Sequence, residues 1–156
     1  SSRRRHTRCA RWSRGLGDVY KRQVLVLWSL VVLLWMTSTR FPAFARAGIN
    51  LANTARGARY ADVEKNMPEK VNWVSHNYTH LMEQPTIFYA VIAILAIAGD
   101  TSDVNLYAAW GYTGLRIVHS LWQGLVNVVK IRVVLFTLST ICLWVLAING
   151  VRATVF

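Results

Sequence analysis

An arginine in the middle of an apolar stretch constrains this chain more than any other feature. Arg116 lies within Val104–Val129, a segment long enough and otherwise apolar enough to be a membrane-spanning helix. Charge at bilayer depth costs on the order of 3 kcal/mol or more at a helix centre, so Arg116 cannot face lipid. Tyr112, His119, Ser120, Gln123 and Asn127 recur around it at spacings of three and four, which puts all six side chains on one helix face. That face must turn into a bundle and meet a counter-charge there. Glu83 is the one acidic residue inside any apolar segment. A Glu83–Arg116 pair is therefore expected, with the remaining helices arranged to bring the two together.

The composition agrees with a membrane protein. Among 156 residues, 54% are hydrophobic and seven are Trp, outside the usual range for a soluble domain of this size. A formal charge of +11 ordinarily points to nucleic acid or an anionic surface. Here eight of the eighteen Lys and Arg, and one of the seven acidic residues, fall in residues 1–23. The rest of the chain carries +4, and no nucleic-acid partner is expected.

Residues 1–23 read as translated library adaptor. Ser13–Gln23 matches one frame of a transposase mosaic-end adaptor, and Ser2–Arg8 matches one frame of the flow-cell primer that precedes it. Cys9–Trp12 would then cover a sample index. A basic targeting peptide or a nucleic-acid arm is the alternative. The expectation is an added segment, disordered and without a role, with the initiating Met missing from the remainder of the chain. Cys9 goes with it, and the remaining Cys142 cannot form an internal disulfide or a cysteine metal site alone.

Residues 24–156 form a single domain with four expected spans, at about 24–39, 73–98, 104–129 and 133–151. A signal-peptide core competes for the first, but no small-residue cleavage site follows it. Residues 40–72 read as a solvated connection with at most a weak amphipathic turn. Pro85 is expected to kink the second span. The first and third connections hold the basic residues, so the positive-inside bias places both on the cytoplasmic side and both termini outside. Counting about 1.5 Å per residue from that side sets Glu83 level with His119 and within a turn of Arg116.

His76, His80 and Glu83, at i, i+4 and i+7, share a face of the second span. One ion pair with hydrogen-bonding neighbours would suffice to fix helix register. So many ionisable and amide groups exceed that need and point to a functional site. His76, His80, Glu83 and His119 are also suitable metal ligands by type, but they stand beside two cations, and no metal is expected.

Two blocks, His80-Leu-Met-Glu-Gln-Pro-Thr-Ile-Phe-Tyr89 and Gly114-Leu-Arg-Ile-Val-His-Ser120, followed by Arg132, resemble the MAPEG family (membrane-associated proteins in eicosanoid and glutathione metabolism), and most of all its uncharacterised bacterial branch. The likeness extends over Val24–Phe156. It implies an all-α integral membrane protein, a four-helix bundle forming a homotrimer in a lipid bilayer. The bacterial inner membrane is the expected location. It also implies glutathione as co-substrate, bound between subunits near the cytosolic side. In family terms Glu83 matches a glutathione-holding Glu, His80 stands at an Asn position and His76 at an Arg position. Arg116 and His119 match an Arg and a His of the third span, and Arg132 matches the Arg that activates the thiol. Gln123 and Phe136 stand where Tyr is common. The implied activity is a glutathione-dependent transferase or peroxidase acting on lipophilic small molecules, with Arg132 catalytic and His76, His80, Glu83, Arg116, His119 and Gln123 binding glutathione. The competing class is a non-enzymatic membrane protein whose polar cluster holds a lipid headgroup or only specifies assembly.

Overall fold

The computed structural model describes residues 2–49, 57, 59–100 and 102–155, with side chains from Gln23 onward. All regular structure among the described residues is helical: α1 (Ser2–Arg46), α2 (Tyr60–Val63), a 3-10 turn at Glu64–Asn66, α3 (Glu69–Ile97), α4 (Asp103–Leu125) and α5 (Val129–Val155). Three stretches are long and apolar enough to cross a membrane, namely Gln23–Arg46 of α1, α3 and α5. The 23 residues of α4 match them in length but carry the polar face around Arg116.

The packing order follows from where apolar side chains recur. On α3, Val74, Asn77, Leu81, Pro85, Phe88, Ile92 and Leu95 are buried, a stripe at spacings of three and four. It faces α4 and α5, while α1 lies along α3 and touches α4. Leu25, Phe88, Ile92, Leu95, Ala109, Tyr112, Leu143 and Leu146 form the core. Its tightest aromatic contact is the stack of Phe88 on Tyr112, centroids 4.3 Å apart. Gly124 lets α1 and α4 approach closely: a Cβ there would lie 2.5 Å from Cη2 of Trp35.

Polar bridges tie the helices at three heights. Ser120 Oγ of α4 accepts from Trp28 Nε1 of α1 at 3.0 Å and from Asn77 Nδ2 of α3 at 2.9 Å. Gln84 Nε2 donates to Thr140 Oγ1 of α5 at 2.8 Å. Nearer the other end, Asn149 Nδ2 donates to Asn105 Oδ1 at 2.6 Å, and Asn105 Nδ2 donates to Asp100.

Several boundaries differ from expectation. The backbone is helical from Ser2, where irregular chain was expected, because extending a formed helix is far cheaper than nucleating one. Packing of side chains 1–22 lies outside the described residues. At its other end α1 runs through Pro42 to Arg46, seven residues past the expected limit. The second helix begins at Glu69, directly after Pro68, and passes Pro85 as one unbroken element. The third stops at Leu125 instead of Val129. Asn127 then adopts φ +55°, and its N–H donates to Trp122 O at 2.7 Å. Left-handed backbone cannot continue a helix, and Asn tolerates it better than most residues. Val129 to Arg132 accordingly belong to α5.

The first connection is partly folded. Tyr60, Val63 and Val71 pack on Ala43, Phe44 and Met67, and the Arg40 guanidinium lies 3.9 Å from the Tyr60 ring centroid. Tyr60 Oη donates to Asn72 Oδ1 at 2.6 Å. This anchoring on the end of α1 replaces the solvated loop expected there. Residues 50–56 and 58 lie outside the described residues.

Candidate functional site

Five of the six polar residues read from one face of α4 do point inward. Tyr112, Arg116, His119, Ser120 and Gln123 are all buried; Asn127 is off the helix, in the turn. The inward face exists because α4 is clamped among α1, α3 and α5, which removes it from the surface on three sides.

Arg116 does not pair with Glu83. It is 1% exposed, and its guanidinium carbon lies 5.0 Å from the Phe136 ring centroid and 5.5 Å from that of Tyr112. Nε and Nη2 have no hydrogen-bond partner among the described residues. The Glu83 side chain is 62% exposed and accepts from, or pairs with, His80 Nδ1 at 3.2 Å. The reason is angular. Glu83 is two residues from both Leu81 and Pro85 of the buried stripe, so at 3.6 residues per turn it projects about 160° away from it. The depth match is also off by one turn, since α3 starts earlier and α4 stops earlier than expected. His80, not Glu83, faces His119, with ring centroids 6.4 Å apart and nearly perpendicular.

The site thus has two tiers. An outer tier consists of the His80–Glu83 pair, half-open on α3. Behind it lie His119 and Arg116 on α4, with the Phe136 ring of α5 against both, 6.3 Å from His119. Gln123 is buried one turn further along α4, both of its amide atoms without a partner.

His76 and Arg132 are engaged elsewhere. His76 Nε2 lies 2.7 Å from Glu64 Oε1, a contact from the folded part of the connection. Arg132 Nη1 donates to Asn127 Oδ1 at 2.7 Å. No group of three or more His, Cys, Asp and Glu suited to a metal ion occurs among the described residues; the nearest sequence candidate is split when Glu64 takes His76.

Sequence reasoning missed the roles of Asn77, Trp28 and Glu64. Asn77 was legible, because it falls in the apolar stripe of α3 and so had to be buried with a partner. Nothing in the sequence signals Glu64, whose role depends on the fold of the connection.

Fold and site together define a class: an integral membrane protein, helical throughout its described residues, with an arginine and a histidine of α4 buried in its interior. The sequence matches the MAPEG family over residues 23–152, and the chain belongs to that family. The match begins at the last residue of the adaptor-like segment. No curated protein and no solved structure matches the chain.

Proposed function

We propose that this chain is the subunit of a homotrimeric, four-span enzyme that uses glutathione to conjugate or reduce lipophilic electrophiles. The observation that carries the reading is the unbalanced charge of the site. Among the described residues Arg116 is buried without an ion pair, and the nearby Glu83 carboxylate of α3 is taken by His80. A buried guanidinium without a counter-anion is costly, so the site favours an anionic ligand. Glutathione fits that donor set, with two carboxylates for Arg116 and the histidines and an ammonium for Glu83.

Bound glutathione would supply a sulfur nucleophile to a substrate arriving from the bilayer. Arg132, at the first turn of α5, would hold negative charge at that sulfur. His76, His80, His119 and Gln123 would orient the tripeptide's polar ends, and Phe136 would shield Arg116 from competing water. Assembly is supported by Glu83, which is exposed on the subunit at a depth where lipid would not solvate it. A second subunit covers it in the trimer. With the basic connections inside, α3 and α5 both begin at the cytoplasmic face, and the inner membrane of a bacterium is the setting.

Calorimetry on detergent-purified protein tests this. Glutathione is expected to bind, and Arg116→Leu to weaken it at least about tenfold, the effect of losing one charge-assisted contact. Cross-linking should give trimers. Absence of glutathione binding, with binding of anionic lipid, would assign the cluster to a headgroup instead.

A further inference from the structure

The turn between α4 and α5 has one residue doing two jobs. Asn127 is the only non-glycine residue with positive φ among the described residues, at +55°. Backbone geometry alone would favour glycine, which adopts that conformation without penalty. An asparagine there is explained by its side chain, whose Oδ1 accepts from Arg132 Nη1 at 2.7 Å. The turn itself is fastened on both sides. Val126 and Asn127 N–H both donate to Trp122 O, at 2.9 and 2.7 Å, and Trp122 Nε1 reaches back to Val128 O at 3.3 Å. The carboxamide oxygen therefore projects from a fixed frame. Both residues are half-buried, where a hydrogen bond is less exposed to competition from water.

The chemistry of the acceptor matters as much as its place. A carboxylate would hold the guanidinium equally well but would cancel its charge. A carboxamide orients one nitrogen and leaves both the charge and the remaining N–H groups of the fork free. We propose that Asn127 is a positioning residue that fixes the Arg132 guanidinium for thiolate stabilisation while leaving its charge intact. The thiolate half of this rests on the glutathione reading above; the positioning half does not. In the reaction the thiol proton leaves to solvent, and the negative charge remaining on sulfur is what the held guanidinium stabilises.

Two variants of the full chain in detergent separate these roles. In ligand-free protein, exchange of the Arg132 guanidinium protons is read by nitrogen NMR, with the signal assigned by its loss in Arg132→Lys. In glutathione-loaded protein, thiolate absorbance is followed against pH. Asn127→Gly keeps the backbone, and is expected to unfold at the wild-type temperature, to release the slowed exchange, and to raise the bound thiol pKa. Asn127→Asp keeps the acceptor, and is expected to retain slowed exchange yet raise the thiol pKa by about one unit or more, through the added like charge. Positioning is overturned if Asn127→Gly leaves guanidinium exchange unchanged. The neutral-acceptor argument is overturned if Asn127→Asp holds the guanidinium and keeps the wild-type thiol pKa. A wild-type bound-thiol pKa equal to that of free glutathione overturns the thiolate role while leaving glutathione binding standing, and the exchange measurement still decides positioning.

Discussion

At the scale of single residues, Arg116 sets the energetics of the interior. It has aromatic rings on two sides but no anionic partner among the described residues, and cation–π contacts of roughly 1–2 kcal/mol do not offset the several kcal/mol of desolvating a guanidinium. Arg116→Leu is therefore expected to stabilise the ligand-free protein by about 1 kcal/mol or more, while removing affinity for an anionic ligand. Glu83→Gln, on the outer side of α3, should have little effect on stability. Because the two side chains do not meet, their effects should add to within about 0.5 kcal/mol in a double-mutant cycle. Thermal unfolding in detergent measures both. A coupling of about 2 kcal/mol or more, the size expected of groups in contact or in one network, would show that Glu83 and Arg116 are linked in the assembled protein.

At the scale of helices, contact between α1 and α4 is fixed by a glycine against an indole. Adding a methyl group at Gly124 places it 2.5 and 2.8 Å from two Trp35 ring atoms. The ring cannot bend, so it or the helix must move. Gly124→Ala should cost about 1–3 kcal/mol, the usual range for overpacking, and Trp35→Leu in the same chain should recover most of it. Loss without recovery would locate the strain in the backbone of α4 instead. The helix scale is also where the sequence was most and least legible. The inward face of α4 could be read from its spacing, because polar groups stand out against an apolar background. Glu83 was misread for the converse reason: it was weighed as an isolated acid, when the apolar stripe from Val74 to Leu95 already specified which way α3 faces. The end of α4 was hidden because Val126, Val128 and Val129 prolong the apolar run through a turn that a single left-handed Asn127 makes.

At the scale of the whole chain, the family match begins at Gln23. Leu25, two residues further on, is already a core residue. A chain starting at Val24 behind a new Met is expected to insert, to assemble, and to unfold at the same temperature as the full chain. Failure to fold without residues 1–23 would give that segment a structural role. The partly folded first connection belongs to this scale too. Its Glu64–His76 and Arg40–Tyr60 contacts link segments far apart in sequence, and only a completed fold brings such partners together. The proposed glutathione binding and trimer formation belong to this scale as well, and in the sequence they rest on family resemblance alone.

The three-residue turn between α4 and α5 bears on how the protein is made. Left alone in the membrane, α4 would have to bring Arg116, His119 and Gln123 into the hydrocarbon with no helix to hide them, at a cost of several kcal/mol. Its successor is apolar along nearly its whole length and comes after only Val126, Asn127 and Val128. An α4 that crosses the bilayer must therefore wait at the translocon until α5 has been synthesised, so that the two enter as a hairpin. The short turn thus ties the insertion of α4 to that of α5. A reporter fused after Val126 should find α4 poorly inserted, and one fused after Val155 should find it fully inserted.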